Sequence, residues 1–124
     1  MKLLITRATT LLAIAGIASL AWQSHAAEKR SISDVMKDAM KGESSLHKKV
    51  ALGKGTDDDA AKLLDYFKSL SAETPPVGDA ASWKAKTDRL IAAAQGVVDK
   101  KSGATGELQM AGNCKACHNE HKSD

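Results

Sequence analysis

Aromatic residues are scarce: they make up 3% of the chain, and Tyr66, Phe67 and Trp83 are the only ones beyond residue 30. Large aromatic side chains supply much of the apolar surface that a small core buries. A core built from about a hundred residues with so few of them has little to hold it together. We therefore expect a buried, apolar cofactor to help fill the interior.

A hydrophobic run long enough to cross a bilayer is also missing, since a spanning helix needs ~20 apolar residues. The most apolar stretch, Leu11–Ala21, follows the basic residues Lys2 and Arg7 and precedes Ser24-His25-Ala26. A basic start, a short apolar run and a small-x-small cleavage pattern are typical of a secretory signal peptide. We predict that residues 1–26 are removed on export to the periplasm and that residues 27–124 form one domain. A retained N-terminal anchor is the less favoured alternative.

The charge shows no strong excess of either sign. The chain has 18 basic and 15 acidic residues, a net charge of +3, and without Lys2 and Arg7 of the leader the net charge is +1. Nucleic-acid binding requires a clear cationic excess, whereas these lysines alternate with carboxylates as on ordinary solvated helix faces. We expect no nucleic-acid partner.

No segment shows the period-2 alternation of a strand, and four segments show the apolar spacing of helices. The predicted helices run from about Ile32 to Leu52, from Asp57 to the Thr74–Gly78 connector, from about Asp79 to Lys100, and from about Glu107 to the end of the chain. Short connectors between amphipathic helices are typical of an all-α, antiparallel up-down-up-down four-helix bundle. The predicted core-facing residues are Ile32, Val35, Met36, Ala39, Met40, Leu46, Val50, Ala60, Leu63, Leu64, Phe67, Leu70, Trp83, Leu90, Ile91, Ala94, Val97, Val98, Leu108, Ala111, Cys114, Cys117 and His118.

Cys114-Lys115-Ala116-Cys117-His118 matches C-x-x-C-H, the attachment motif of c-type haem. Two thiols three residues apart lie about one helical turn from each other, so both can reach the vinyl groups on one edge of a porphyrin. The histidine next to the second thiol can then bind the iron. The motif predicts one covalent haem c on Cys114 and Cys117, with His118 as the proximal iron ligand.

Other uses of these residues compete with haem attachment. A C-x-x-C pair can be a disulfide or a redox-active dithiol, but the dithiol normally lies at a helix N-terminus in a fold with strands, and the sequence predicts neither. Zinc could use Cys114, Cys117, His118 and His121. Four ligands within two turns of one helix would be hard to close into a tetrahedron without unwinding it.

A sixth iron ligand could come from the first helix, which carries Met36, Met40 and His47 on its predicted inward face. In an antiparallel bundle, His118 near the chain end lies level with the start of that helix. At ~1.5 Å of rise per residue, Met36 is ~6 Å and Met40 ~12 Å from the start at Ile32, whereas His47 is more than ~20 Å away. We predict Met36 as the sixth ligand, with Met40 as the alternative. A five-coordinate iron with these methionines packed beside it remains open.

Four further residues are candidates for the surroundings of the haem. Phe67, Trp83 and Leu108 are interpreted as core or as lining of the haem pocket. His121, one turn beyond His118, is expected to face solvent or to bind a haem propionate and not the iron.

With these motifs in place, the sequence resembles the class II c-type cytochromes, the cytochrome c-prime group and its low-spin relatives. In that family a four-helix bundle carries its C-x-x-C-H close to the C-terminus, and a Met-Lys pair early in the first helix faces the haem. Cys114–His118 and Met36-Lys37 stand at the matching places. The chain departs from the family in being shorter between helices and in having a second methionine at position 40.

The resemblance and the Met/His ligand set imply one-electron transfer, since a thioether opposite an imidazole favours ferrous iron and raises the potential. We expect a periplasmic electron carrier for redox partner proteins, without enzymatic activity and without a membrane once the leader is cleaved; whether two copies pair is left open. One alternative is a five-coordinate haem that binds or senses nitric oxide or carbon monoxide. Another is a structural bundle closed by a Cys114–Cys117 disulfide.

Overall fold

The computed structural model describes residues 28–124, so the predicted leader lies outside the described residues. Within this range the chain forms helices and loops without strands, which confirms the all-α prediction. No helix in residues 28–124 combines the length and the apolarity needed to traverse a bilayer.

The described chain contains six α-helices and one π-helical segment. They are α1 (Ile32–Val35), the π-helical segment (Met36–Met40), α2 (Leu46–Ala51), α3 (Asp57–Ala72), α4 (Ala80–Val98), α5 (Ala104–Ala111) and α6 (Cys114–His121).

The predicted helix over Ile32–Leu52 is interrupted between Met40 and Leu46. Lys41 adopts extended backbone, and Gly42 has a φ of +90°, a left-handed conformation that glycine adopts without steric cost. Ser45 then starts α2, because its hydroxyl accepts a hydrogen bond from the Lys48 amide. The prediction of one continuous helix over Ile32–Leu52 was therefore wrong. The apolar residues on both sides of the break still face the core, as predicted.

The predicted fourth helix is divided in the same way. It begins at Ala104, three residues before the predicted start, and α5 ends at Ala111, with Gly112 as its C-cap. Asn113 caps a new helix, its side chain accepting a hydrogen bond of 3.1 Å from the Ala116 amide. Consequently Cys114 is the first residue of α6.

The two long helices follow the predicted pattern closely. Thr56 and Asp59 form a capping box at the start of α3. Asp79 caps α4 through the Ser82 amide, and the predicted 74–78 connector is non-helical. The two helices pack against each other and form the most extensive helix contact of the described chain.

The core lies between α3, α4 and the shorter helices around them. α1 and α2 pack on α3, α5 packs on α4 and α2, and α6 contacts α4. Phe67, Leu63, Leu70, Leu108 and Val35 are fully buried. The apolar residues predicted to face the core are all buried or half-buried against it, whereas Cys114 and His118 are exposed. The motif residues thus lie where the core meets solvent.

Candidate functional site

The C-x-x-C-H residues occupy most of α6. Cys114 and His118 are exposed and Cys117 is half-buried. Burial raises the pKa of the Cys117 thiol, with the positive charge of Lys86 acting in the opposite direction. Burial in apolar surroundings therefore shifts Cys117 further toward its protonated thiol form.

An apolar cavity of about 440 Å³ brings the predicted site residues together. Cys114, Cys117, His118, Met36 and Met40 all line it. The methionines come from the π-helical segment, and the cysteines and the histidine come from α6. Leu70 of α3 and Leu90 of α4 contribute to its apolar wall. The two ends of the described chain therefore meet across one cavity.

A second cavity of about 590 Å³ adjoins the first. Met36, Cys117 and His118 line both cavities, whereas Cys114 and Met40 line only the first. Trp83 lines the second cavity, its indole nitrogen donating to the Glu73 carbonyl at 2.9 Å. His118 and Met36 thus share both cavities, whereas Met40 shares only the first with His118.

The charged residues around the first cavity are cationic. Lys37, Lys41 and Lys122 line it, and no carboxylate of the described residues does. Asp34 carries a carboxylate close to Lys37 in sequence: hydrogen bonds from Ser31 lower the pKa of this carboxyl, and the charge of Lys37 lowers it further. The cavity is suited to a ligand with an apolar body and acidic groups at its edge.

A porphyrin with two carboxylates has this character. The first cavity falls within the ~300–1,000 Å³ usual for ligand and cofactor sites. Its lining holds two thiols that would attach a haem, and an imidazole and two thioethers that would be available as iron ligands. The residues present therefore fit haem c.

The position of the thiols changes one argument about the alternatives. The prediction that the C-x-x-C lies away from a helix N-terminus was wrong, because Cys114 is the first residue of α6 after the Asn113 cap. A helix N-terminus is the usual setting of redox-active dithiols. The second condition, a fold with strands, is not met in residues 28–124.

The zinc alternative gains no support. Across the part of the chain that the structure describes, no group of three or more His, Cys, Asp or Glu side chains could hold a metal ion. His121, the fourth ligand considered for zinc, has both ring nitrogens near other partners.

His47 does not belong to the site. It is 8% exposed, its Nε2 lies 3.2 Å from the Leu108 carbonyl, and it lines neither cavity. A carbonyl only accepts, so Nε2 carries the proton. Burial lowers the pKa of His47, and the hydrogen bond to Leu108 opposes this effect. His47 instead packs against Gly112 at the break between α5 and α6, where a Cβ on Gly112 would meet Nε2 at 2.2 Å.

His121 differs most from its predicted setting. It is 3% exposed and not solvent-facing. Its Nδ1 lies 3.1 Å from the Val77 carbonyl, and its Nε2 lies 3.2 Å from Ser82 Oγ. Its ring meets the edge of Trp83 with centroids 5.3 Å apart. Both ring nitrogens thus have protein partners, while the ring also lines the second cavity. The bond with a propionate stays a prediction.

Sequence reasoning missed the side chains around His121. Ser82 and Lys86, one turn apart on α4, both bond Glu120 of α6. The hydrogen bond from Ser82, followed by that from Lys86, lowers the pKa of the Glu120 carboxyl. The helical spacing of Ser82 and Lys86 indicates that the two side chains are neighbours on α4. Their partner Glu120 lies more than 30 residues away in the sequence, so the spacing does not reveal it.

Comparisons of the sequence with protein-family models, with curated proteins and with solved structures find no match. Any functional conclusion therefore depends on the residues and their arrangement.

Proposed function

We propose that the protein is an exported, monohaem c-type cytochrome that carries single electrons between redox partner proteins and is not an enzyme. In this proposal Cys114 and Cys117 hold the haem through thioether bonds, and His118 binds the iron. The observation that carries the proposal is that the C-x-x-C-H residues share one apolar cavity with Met36 and Met40, from the opposite end of the described chain.

The chain's own residues have distinct roles in this function. Bound haem c supplies an iron that changes its charge by one electron. The Met36 thioether, bordering both cavities beside His118, provides a soft ligand that stabilises the ferrous state. Leu70 and Leu90 supply apolar wall to the first cavity. Lys37, Lys41 and Lys122 offset the charge of the porphyrin carboxylates at its edge.

The proposed architecture is an antiparallel four-helix bundle with two interrupted arms. The first arm is α1, the π-helical segment and α2, the second is α3, the third is α4, and the fourth is α5 with α6. The contacts of α3 with α1, α2 and α4, and of α5 with α4 and α2, support a closed ring of four arms. A crystal structure in which the first and fourth arms do not touch would contradict it.

The decisive experiment is expression of the full chain in a bacterial host that matures c-type cytochromes. The expected product begins at Ala27 and carries one haem's mass, and its haem resists acid-acetone extraction and gives the haemochrome spectrum of two thioether links. The matched control, Cys114→Ala with Cys117→Ala, should carry no covalent haem. A wild-type product with only the mass of the unmodified peptide would disprove the proposal.

The spectrum of the same product separates electron transfer from gas binding. A low-spin ferric spectrum with the methionine-to-iron charge-transfer band at the red edge supports the electron carrier. A high-spin spectrum, with avid carbon monoxide or nitric oxide binding by the ferrous form, would replace it with the five-coordinate alternative.

The position of Cys114 at the start of α6 favours one further candidate, a dithiol or disulfide protein. Haem-free protein whose two thiols cycle reversibly between reduced and disulfide forms would support that candidate over the cytochrome. Thiol titration before and after mild oxidation measures this directly.

A further inference from the structure

We propose that His121, Ser82, Lys86 and Glu120 form a positioning cluster that fixes the orientation of α6 and thereby aims the His118 imidazole. This inference rests on the proposed haem function. None of the four side chains is proposed to touch the iron, so each acts through His118. The set is called the α4–α6 cluster below.

Helix α6 needs such support because it is short. It has eight residues, and helices of fewer than ~12–15 residues are marginal on their own in water. Its motif side chains contribute little anchoring, since Cys114 and His118 are exposed and Cys117 is half-buried. Apart from the bonds to haem, the orientation of α6 therefore comes from the end that is attached to α4.

His121 provides the buried part of this attachment. Its Nδ1 donates to the Val77 carbonyl at 3.1 Å, because a carbonyl can only accept. Its Nε2 lies 3.2 Å from Ser82 Oγ, and its ring packs edge-on against Trp83. Three contacts in different directions fix both the tilt and the rotation of the last turn of α6.

Glu120 provides the charged part. Its carboxylate accepts from Ser82 Oγ at 2.5 Å and from Lys86 Nζ at 3.1 Å, and Lys86 also donates to Ser82 at 2.9 Å. Ser82 is therefore shared between Glu120 and His121, which couples the two residues of α6 to one residue of α4.

The loop before α4 closes against the same turn. Gly78 has a φ of +90°, and a Cβ there would lie 2.4 Å from the Glu120 carbonyl oxygen and 2.6 Å from His121 Nδ1. Only glycine permits both this backbone conformation and this close approach. The loop thus packs directly on the end of α6.

The geometry connects this anchor to the proposed iron ligand. His118 lies three residues before His121, so the two are neighbours along the helix surface. Side-chain tips lie ~5–6 Å from a helix axis, and a rotation of α6 by ~10° would move the imidazole by ~1 Å. Functional geometries tolerate displacements of only ~0.5 Å, so release of the cluster should alter iron ligation.

The test compares variants of the haem-loaded protein. His121→Phe keeps a ring against Trp83 but removes both nitrogen contacts. His121→Asn restores a donor for the Val77 carbonyl and serves as the conservative rescue. Lys84→Ala is the matched control, because it removes an exposed ion pair with Asp88 on the same helix and lies outside the cluster.

The readouts are the reduction potential and the ferric electron paramagnetic resonance spectrum. His121→Phe is expected to change the ferric-to-ferrous equilibrium at least ~10-fold, equivalent to ~59 mV for one electron, since supporting residues around metal ligands commonly have effects of this size. It should also add a second spin species. His121→Asn should recover most of the wild-type values, and Lys84→Ala should match wild type.

A second pair of variants keeps the test decisive if His121→Phe does not fold. Gly78→Ala should push on α6 and change the spectrum. Gly53→Ala imposes the same kind of strain, at a φ of +71°, but its Cβ meets nothing within 4 Å, so its spectrum should stay at wild type.

Unchanged potential and spectrum in folded His121→Phe or Gly78→Ala protein, even with a lower melting temperature, would reduce the cluster to ordinary structural support and overturn the inference. That outcome differs from failure of the proposed function, in which wild-type protein carries no covalent haem at all.

Discussion

Alanine in place of Gly112 tests how tightly the chain packs at the break between α5 and α6. The added Cβ would lie 2.2 Å from Nε2 and 2.4 Å from Cε1 of His47, so the buried ring must move. Movement breaks the hydrogen bond to the Leu108 carbonyl and leaves buried polar atoms unpaired. Overpacking a core costs about 1–3 kcal/mol, and leaving a buried polar group unpaired costs about as much. Replacing a glycine returns a small part of this, because it reduces the entropy of the unfolded chain. We therefore expect Gly112→Ala to lower the free energy of unfolding by about 2–4 kcal/mol.

The matched control is Gly106→Ala, inside α5, where a Cβ meets nothing within 4 Å. Replacing this exposed helical glycine should stabilise the protein by about 0.5–1 kcal/mol. Urea unfolding followed by far-ultraviolet circular dichroism measures both. In a His47→Ala background the Gly112→Ala cost should fall below about 1 kcal/mol, because the clashing ring is gone. Equal effects of the two alanines in the wild-type background would refute the proposed packing.

Three further predictions concern titration and ligation. Burial lowers the pKa of His47 from its ordinary 6.5, so the unfolded state binds protons more readily than the folded state does. The stability advantage of wild type over His47→Gln should therefore shrink as the pH is lowered from 7 toward 5. Urea unfolding at each pH measures this difference. A hydrogen bond from Lys49 leads the effects that lower the pKa of Asp59 from 3.8 to about 2, so the stability difference between wild type and Asp59→Asn should persist above 3.8 and vanish as the pH falls toward 2. A constant difference across either range would contradict the corresponding assignment. Met36→Ala should abolish the red-edge charge-transfer band while Met40→Ala keeps it, because Met36 is the one of these two methionines that lines both cavities. Survival of the band in Met36→Ala would exclude Met36 as the ligand.

Local patterns determine the parts of the fold that the sequence predicted well. The start of α3 at Asp57 and its apolar spacing depend on residues a few positions apart, and both appear as predicted. The breaks at Gly42 and Gly112 were missed although each combines a glycine with a capping Ser45 or Asn113, because the apolar stripe continues through them.

The candidate site likewise has one part that the sequence could predict and one part that it could not. The meeting of Met36 and Met40 with the C-x-x-C-H residues follows from topology and could be predicted. The burial of His121 could not, since it depends on the 73–79 loop folding back onto α6 and on Ser82, 39 residues away along the chain. Contacts of this range leave no periodic signal within a single sequence.

The interruption at Gly112 and Asn113 has a consequence for how this chain tolerates changes in length. In an unbroken helix each inserted residue turns everything downstream by about 100°, because there are 3.6 residues per turn. A residue inserted in α5 would then carry both thiols and the imidazole away from the methionines. Here α6 starts from its own cap and is fastened to α4 at its far end, so its rotational phase is independent of α5. Substitution of the Asn113 cap or of the residues that attach α6 to α4 should therefore disturb the motif more than a one-residue insertion in α5 does.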